Sequence, residues 1–293
     1  MSAFTVEPIK PAFGAVIRNF TVSGDVPKRE FDALIEVFLD RHVLVIPSSG
    51  IEPAAQVAFS RLFGPLEIHA ETRFVAKDHP EVIQIGNYSE NGQPRAAFSL
   101  GVEQWHADSS YRPLPSIASL FYAEIAPPTG GDTLFADAVS AHAELPAATK
   151  ARIEGLRAVH DYEYFDSWLG LINEGRPPYG EEKRRKFPPH VQPLVRTHPV
   201  TGVKSLLLCP AVISHIEGLS PAESRLILDA LTAFATQDRF VYRHKWTQGD
   251  LVIWDNRCVL HTATWFDHKT YTRLMRRTTV TSDPAPAPKQ AAA

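Results

Sequence analysis

The sequence predicts a mainly β protein, an antiparallel barrel or jelly roll with helices packed outside it. Two observations predict this fold. From residue 82 onward, short apolar runs are separated by Gly, Pro and Asn, which is the spacing of an all-β domain. Helical periodicity is concentrated before this region and in a central insert of about residues 138–195, so the helices are expected outside the β core.

The N-terminal segment is predicted to alternate short strands with two helices. Strands are expected at residues 4–7 and 14–17. A helix is expected to open at Pro27, because the apolar residues after it recur with a period of about 3.6 residues. The apolar run from His42 to Pro47 predicts a buried strand that ends at the proline, and a second helix is expected over residues 53–62.

The β region and its insert follow. Further strands are expected at residues 82–85, 116–125, 133–136, 195–198, 205–208, 250–254 and 271–280. Helices are expected over residues 138–169 and 221–235. Residues 170–193 are rich in Pro, Gly and charge, which indicates either a solvated loop or a lid over a site.

Length and composition indicate one soluble domain. Residues 1–280 are expected to form it, with residues 281–293 as a flexible tail that has too many prolines and too few apolar residues to pack. Although 293 residues is long for one domain, all-β domains with helical inserts reach this length. The net charge of −3 argues against nucleic acid or an anionic membrane as a partner.

The cysteine count and the absence of long apolar runs predict the compartment. Cys209 and Cys258 are too few for the disulfide framework of a secreted protein. No leader-like segment opens the chain, and no apolar run is long enough to span a bilayer. We therefore expect a cytoplasmic protein, and we further expect a homo-oligomer, either a dimer or a tetramer.

His106 and Asp108, together with His261, predict a metal site. In a strand, residues i and i+2 project to the same face, so a His-x-Asp pair brings two ligands together and the third comes from a distant strand. Two imidazoles and one carboxylate form the facial triad of Fe(II) sites, which leaves positions on the metal open for a co-substrate and O₂. The same ligands could hold Zn²⁺ in a hydrolase, but no Glu or His is placed by a motif as a general base.

Four motifs carry a resemblance to a known family. They are Trp-His-Ala-Asp at residues 105–108, Gly-Gly-Asp-Thr at 130–133, Trp-Asp-Asn-Arg-Cys-Val-Leu-His at 254–261 and Arg-Leu-Met-Arg-Arg at 273–277. In order and spacing they resemble the taurine dioxygenase and 2,4-dichlorophenoxyacetate dioxygenase (TauD/TfdA) family, over nearly the whole chain. The resemblance implies a double-stranded β-helix, which is a cupin-like jelly roll, with helices in the N-terminal segment and the insert. It also implies an enzyme that uses Fe(II), 2-oxoglutarate and O₂ to hydroxylate an acidic substrate.

The resemblance implies ligand roles as well, with His106, Asp108 and His261 on the metal. A dicarboxylate beside a buried metal needs positive charge, and Arg offers a planar fork that binds carboxylate in bidentate fashion. By motif position, Arg273 resembles the arginine that binds the distal carboxylate of 2-oxoglutarate, assisted by the hydroxyl of Thr133. Arg277 resembles a second arginine that lies close to both the co-substrate and the acidic group of the substrate.

The three arginines near the end of the chain are predicted to divide between two faces. Arg273 and Arg277 lie four residues apart on a predicted strand, so both should project to the same face. Arg276 should lie on the other face and is expected to be a surface charge. Arg112, four residues after Asp108, is expected to form an outward salt bridge in preference to adding charge at the pocket mouth.

The substrate is predicted from the branch of the family that the motifs resemble. Residues 105–113 and 254–261 look closer to the aryloxyalkanoate branch, which implies a substrate such as 2,4-dichlorophenoxyacetate and ether cleavage to a phenol and a 2-oxo acid. The alternative is taurine, another alkylsulfonate or an alkyl sulfate, because residues 63–69 resemble the segment that places a histidine on the sulfonate. Substrate contacts are expected from His69, Ser109, Tyr111 and Arg277.

Two further classes share parts of this pattern. A non-catalytic cupin-like binding module could have the same barrel, but it would not need Thr133, Arg273 and Arg277 arranged for a dicarboxylate. A halogenase of the same iron type loses the metal carboxylate, whereas Asp108 is present.

Overall fold

The computed structural model of the protein describes residues 4–48, 50–68, 72–100 and 103–281. Nearly all of the predicted tail, residues 282–293, lies outside these ranges. The helices are α1 (Lys28–Arg41), α2 (Pro53–Arg61), α3 (Ala138–Glu144), α4 (Ala147–Ile153), α5 (Tyr162–Ile172), α6 (Glu181–Lys186) and α7 (Pro221–Ala235). Among the described residues, none of these helices is long and apolar enough to span a membrane.

The strands are short, and most of them cluster in the regions that the sequence predicts. They are β1 (Thr5–Pro8), β2 (Ala15–Arg18), β3 (Val43–Pro47), β4 (Val75–Ala76), β5 (His79–Gly86), β6 (Ser89–Glu90), β7 (Gln93–Pro94), β8 (Ala118–Ile125), β9 (Thr133–Asp137), β10 (Arg157–His160), β11 (His190–Pro193), β12 (Val195–Thr197), β13 (Lys204–Leu206), β14 (Ile213–Ile216), β15 (Val241–His244), β16 (Asp250–Asp255), β17 (Val259–Ala263) and β18 (Leu274–Val280).

Two sheets face each other and form a jelly roll. The larger has the strand order β1-β2-β3-β16-β8-β18-β5-β4, and the smaller has the order β15-β9-β17. Their inner faces pack through an apolar cluster to which β16 contributes Trp254, β9 contributes Phe135 and β18 contributes Met275. The predicted mainly β jelly roll with external helices is confirmed, and the described strands do not close into a barrel.

The central strand β16 shows how the layers stack. Val252 and Trp254 face the smaller sheet, whereas Leu251 and Ile253 pack with the N-terminal helices, for example against Phe38 of α1. All six residues of this strand are buried. An apolar run without alternation is therefore what a strand covered on both faces requires.

The insert and α7 cover the outer face of the smaller sheet. Leu260 of β17 packs in one cluster with Ile153 of α4 and Leu228 of α7. The continuous helical stretch predicted over residues 138–169 is wrong, because β10 interrupts it and pairs with β11 and β14. In β10, Ala158 and His160 are buried, a period of two that is too short to stand out between helical patterns.

Residues 170–193 are not simply a solvated loop. The charged helix α6 has no buried residue, but the segment around it is anchored. Arg176 forms an ion pair of 2.6 Å with the buried Asp166, and the side chain of Tyr179 is buried. The segment therefore packs on α5 even though its middle is exposed.

Candidate active site

The three predicted metal ligands lie together in the structure. His106 and His261 face each other across an antiparallel bridge, in which the N–H of each residue donates to the carbonyl of the other at 3.0 and 2.8 Å. Nε2 of each ring lies 3.8 Å from an oxygen of the Asp108 carboxylate. One ligand atom from each residue lies within 4.8 Å of the others, so the three surround one shared point, as a facial set of ligands does.

The local backbone that carries His106 and Asp108 differs from the predicted strand. His106 takes part only in the bridge to His261, and the chain then turns at residues 108–110, with Ser109 at a φ of 55°. It is this turn that brings the carboxylate beside both imidazoles. The third ligand does come from a strand, β17, which the sequence pattern did not reveal.

The protonation states of the three side chains suit a cation. Nδ1 of His106 lies 2.7 Å from the carbonyl of Gln104, which can only accept, so Nδ1 donates there and Nε2 is the ring nitrogen that faces Asp108. Burial, reinforced by His106, lowers the pKa of His261 to about 3, so its ring is neutral. Burial tends to raise the pKa of Asp108, but Arg277 and both histidines outweigh it, and this pKa lies below its usual range.

Arg273 is a buried cation without an anionic partner among the described residues. Its exposed fraction is 7%, its Nε has no hydrogen-bond partner, and no described carboxylate lies within ion-pair distance. Burial lowers its pKa to about 10, although Asp132 acts in the opposite direction. Because a buried unpaired charge is costly, this position favours an anion supplied by a ligand.

Thr133 can add a hydrogen bond for the same anion. Nε1 of Trp246 donates to its Oγ1 at 3.0 Å, and an indole N–H can only donate, so the hydroxyl hydrogen of Thr133 remains to be donated to a carboxylate. Phe121 connects the two groups, since the Arg273 guanidinium lies 5.5 Å from its ring and Trp246 packs edge-on against it at 5.4 Å. No motif in the sequence pointed to Trp246.

The two arginines within β18 point to opposite sides of the large sheet. Arg277 donates to Oδ1 of Asp108 at 2.8 Å, while its own buried Nε has no partner. Arg276 lies 4.6 Å from the Tyr122 ring and forms an ion pair of 3.2 Å with Glu124. The opposite face is as predicted, but Arg276 is only 4% exposed and is not a surface charge, because the N-terminal segment covers that face.

Ser109 and Arg112, which follow Asp108 in the chain, both bind the carboxylate of Glu67. Ser109 donates to the Glu67 carboxylate at 3.3 Å, and Arg112 forms an ion pair with the same group. The Arg112 and Glu67 side chains are 24% and 11% exposed, so this salt bridge is partly buried and does not point outward as predicted. His69, the other candidate for substrate contact, lies outside the described residues.

Tyr111 turns toward the insert. Its ring lies 4.5 Å from that of Tyr162 and 5.5 Å from that of Phe187, and burial raises the pKa of its hydroxyl far above the usual range. Phe187 belongs to residues 170–193, so part of this segment packs against the chain that follows the metal carboxylate. Tyr111, which is close in sequence to the candidate metal ligand Asp108, therefore packs in one aromatic group with residues of the insert.

Two polar residues beside Asp108 were not assigned a role from sequence. Oγ of Ser119 donates to Oδ2 of Asp108 at 2.6 Å, and Oδ1 of Asn256 accepts from its backbone N–H at 3.1 Å. Asn256 lies in the Trp-Asp-Asn-Arg motif, which was a signal, whereas nothing in the sequence around Ser119 distinguished it.

A second cluster of potential metal ligands includes two residues of the 254–261 motif. His42, Asp255 and Cys258 also bring ligand atoms within 4.8 Å of one another. Asp255, however, already accepts from Arg257 at 2.8 and 2.7 Å and from His198 at 3.1 Å. Burial raises the pKa of the Cys258 thiol well above its usual value, so it is not a ready thiolate ligand.

The chain is similar to known proteins over nearly its whole length. Residues 5–279 match the model of a family described as taurine catabolism dioxygenase TauD, TfdA family. The chain is 37% identical to the alpha-ketoglutarate-dependent 2,4-dichlorophenoxyacetate dioxygenase of Cupriavidus pinatubonensis, over 93% of this chain and 96% of the relative. It is 36% identical to the (S)-phenoxypropionate/alpha-ketoglutarate-dioxygenase of Sphingobium herbicidovorans, over 97% and 96%.

More distant sequences and solved structures extend the comparison. An alpha-ketoglutarate-dependent sulfate ester dioxygenase of Pseudomonas putida is 29% identical over 95% of this chain and 89% of its own length. The crystal structure of AAD-2 in complex with Mn(II) and N-oxalylglycine superposes with a TM-score of 0.81 at 33% identity, covering 96% of this chain and 98% of that one.

Proposed function

The chain belongs to the TauD, TfdA family of dioxygenases, and from this membership we propose that it oxidises an aryloxyalkanoate carboxylate. It is an Fe(II)- and 2-oxoglutarate-dependent dioxygenase with a small-molecule substrate, which excludes the binding-module alternative. In the proposed reaction, the carbon next to the ether oxygen is hydroxylated, and the hemiacetal collapses to a phenol and a 2-oxo acid. One atom of O₂ enters the substrate and the other enters succinate, with release of CO₂.

His106, Asp108 and His261 are proposed to hold the Fe(II). When bound, the metal supplies the activation of O₂ at the expense of 2-oxoglutarate. The chain supplies two imidazoles, of which that of His261 is neutral, and one ionised carboxylate around a shared point, which is the donor set that this metal takes. The fit is supported by His106, whose Nδ1–H is already directed to Gln104, so that only Nε2 is available as a ligand.

Arg273 and Thr133 are proposed to bind the distal carboxylate of 2-oxoglutarate. The observation that carries the proposal is the buried Arg273 guanidinium, which no described carboxylate neutralises. A bidentate arginine and a hydroxyl donor together would supply up to three hydrogen bonds to one carboxylate. Nε1 of Trp246 donates to the Thr133 oxygen, which leaves the hydroxyl hydrogen of Thr133 for the ligand in this proposal.

Arg277 is proposed to orient the acidic group of the substrate. One of its donors binds Asp108, but a guanidinium has five N–H donors and Nε of Arg277 is unpartnered, so donors remain for a second carboxylate. Its contact with Asp108 supports a position for that second anion near the reacting centre. Ser109, Tyr111 and His69 are retained as proposed substrate contacts, with Tyr111 in the aromatic group shared with the insert.

The substrate class rests on the relatives. The two at 36–37% identity are named for 2,4-dichlorophenoxyacetate and (S)-phenoxypropionate, which are both aryloxyalkanoates. A sulfate ester or sulfonate is the second candidate, favoured by the relative at 29% identity. Both classes present an anion beside an oxidisable C–H bond, so the pocket walls must discriminate between them.

A substrate panel tests the proposal. Purified enzyme with Fe(II), 2-oxoglutarate and O₂ is incubated with 2,4-dichlorophenoxyacetate, each enantiomer of a 2-aryloxypropionate, taurine and an alkyl sulfate. We expect succinate in equal amount to phenol with at least one aryloxy acid. Faster succinate formation with the sulfate ester or taurine would replace the proposed substrate class, and turnover with Zn²⁺ in the absence of O₂ would overturn the whole mechanism.

Organisation beyond the site is also proposed. The family match over residues 5–279 supports a single dioxygenase domain of residues 1–280. We retain the predictions of a homo-oligomer and a cytoplasmic location. Light scattering of the purified protein measures the first, and cell fractionation measures the second.

A further inference from the structure

Asn256 makes three hydrogen bonds through its side-chain amide, and they reach Asp108, Trp254 and Ser119. Its Oδ1 accepts from the backbone N–H of Asp108 at 3.1 Å and from Nε1 of Trp254 at 2.9 Å. Its Nδ2 donates to Oγ of Ser119 at 2.9 Å. Because a backbone N–H and an indole N–H can only donate, the oxygen and nitrogen ends of this amide are unambiguous.

Ser119 closes a ring of hydrogen bonds, or circuit, that begins and ends at Asp108. Having accepted from Asn256, its hydroxyl donates to Oδ2 of Asp108 at 2.6 Å. The path thus runs from the backbone N–H of Asp108, through Asn256 and Ser119, back to the side chain of the same aspartate. The other oxygen of the carboxylate accepts from Arg277. With one donor on each oxygen, rotation of the carboxylate would break two charge-assisted hydrogen bonds.

Ser119 and Asn256, the two side chains of this circuit, are held by the large sheet. Ser119 is in β8, directly opposite Trp254 of β16, and Asn256 follows β16 immediately. The backbone N–H of Asn256 donates to the Ile117 carbonyl at 2.9 Å. Ser119 and Asn256 are 0% and 1% exposed, so water does not compete for these bonds. The sheet therefore dictates the orientation of a carboxylate that itself lies on a turn.

We propose that Asn256 and Ser119 are positioning residues that preorganise Asp108 for the metal. This inference rests on the proposed metal site of His106, Asp108 and His261. Asn256 also orients Trp254, whose ring lies 4.7 Å from that of His261, so one amide reaches the surroundings of two ligands. Partners in the shell outside the ligands commonly change metal affinity by about 10–100-fold, and we expect an effect in this range.

Three variants test the circuit. Ser119→Ala removes the donor to Oδ2 of Asp108. Asn256→Asp keeps an acceptor for the two N–H groups but removes the donation to Ser119, whose single hydrogen must then serve two carboxylates. Ser119→Thr restores the hydroxyl. Ser224→Ala is the matched control, since Ser224 is a buried serine whose hydroxyl accepts from the backbone N–H of Ile216, away from the metal ligands.

The readout is the dissociation constant for Mn²⁺, measured by calorimetry without substrate, together with circular dichroism and the melting temperature. We expect Ser119→Ala and Asn256→Asp to weaken Mn²⁺ binding by about tenfold or more, Ser119→Thr to recover most of it, and Ser224→Ala to leave it unchanged. Folded Ser119→Ala and Asn256→Asp proteins with the wild-type constant would overturn the inference while leaving the proposed function intact. If the wild-type protein bound Mn²⁺ no better than Asp108→Ala does, both this inference and the proposed metal site would be overturned.

Discussion

Among the described residues, two clusters bring histidine and aspartate ligand atoms within 4.8 Å of one another, and they differ in how far their carboxylates are already satisfied. In the closed cluster, around Asp255, the carboxylate accepts from Arg257 and from His198. Nδ1 of His198 accepts from the backbone N–H groups of residues 200 and 201, so its Nε2 carries the proton and donates to Asp255. Every charge there has an internal partner.

The open cluster, around Asp108, is arranged differently. Its two imidazole Nε2 atoms lie 3.8 Å from the carboxylate, too far for hydrogen bonds, and Nδ1 of His106 is already committed to a carbonyl. Two imidazole nitrogens and a carboxylate thus face one another without a hydrogen bond between them. The two clusters differ in their carboxylates: that of Asp255 accepts four hydrogen bonds, whereas that of Asp108 accepts two and keeps acceptor capacity for a cation.

The largest expected effect comes from removing the carboxylate of the open cluster. Asp108→Ala should abolish Mn²⁺ binding and lower succinate formation by more than the roughly 10–100-fold that loss of an outer partner costs. Calorimetry and an assay of succinate measure the two effects. Retention of both properties within a factor of ten would mean that the open cluster is not the metal site.

Removing the carboxylate of the closed cluster should affect folding instead. Asp255→Ala leaves the largely buried Arg257 and the buried His198 without their acceptor, and breaking a buried ion pair costs about 3–5 kcal/mol of unfolding free energy. Urea denaturation measures this loss, and Mn²⁺ affinity of the folded protein should be retained. A stable Asp255→Ala protein that had lost Mn²⁺ would reverse the roles of the two clusters.

Arg273, which has no carboxylate partner among the described residues, should act on the co-substrate. Arg273→Met should raise the KM for 2-oxoglutarate by about 10–100-fold, since a hydrogen bond to a charged group contributes about 1.5–3 kcal/mol. Without ligand, the variant should lose no stability, because no described carboxylate depends on Arg273. Steady-state kinetics and thermal melts with and without 2-oxoglutarate measure both.

Arg276 supplies the control for that experiment. It lies on the other face of β18 and is paired with Glu124, so Arg276→Met should lower stability and leave the KM for 2-oxoglutarate unchanged. Equal changes of KM in the two variants would show that Arg273 has no specific role.

The smallest expected effect is a pH dependence of the closed cluster. Burial lowers the pKa of His42, and its Nδ1 has no hydrogen-bond partner. The unfolded chain therefore binds this proton more readily than the folded one, so the stability that depends on neutral His42 is present above about pH 6.5 and is lost as the pH falls below that value. The loss is at most about 1.4 kcal/mol per pH unit.

A variant isolates this contribution. His42 has a φ of 64°, a backbone conformation that asparagine tolerates better than most residues, so His42→Asn is the suitable change. Urea denaturation of the apo protein between pH 7.5 and pH 5.5 should give a flatter profile for the variant. An identical slope in wild type and variant would remove His42 from the explanation.

Local patterns in the sequence determined a large part of this protein. Helix α7 begins and ends where predicted, because Ser220 and Glu223 form a capping box around a regular apolar period. The family and its cofactors could be predicted from four motifs, because these motifs contain the residue types that bind a metal and a dicarboxylate. His106, Asp108 and His261 needed no structure to be named as candidate ligands.

The tertiary structure decided which polar groups are already satisfied. Ser119 lies 137 residues from Asn256 in the chain, and Arg276 becomes buried only because α2 and the segment before it cover its face. In the sequence, Asp108 and Asp255 cannot be told apart by their surroundings, because each is a single aspartate two or fewer residues after a tryptophan or histidine of a motif. Only the packing of distant strands fills the hydrogen-bonding capacity of the Asp255 carboxylate and leaves part of that of Asp108 for a ligand, because saturation depends on neighbours that no local pattern contains.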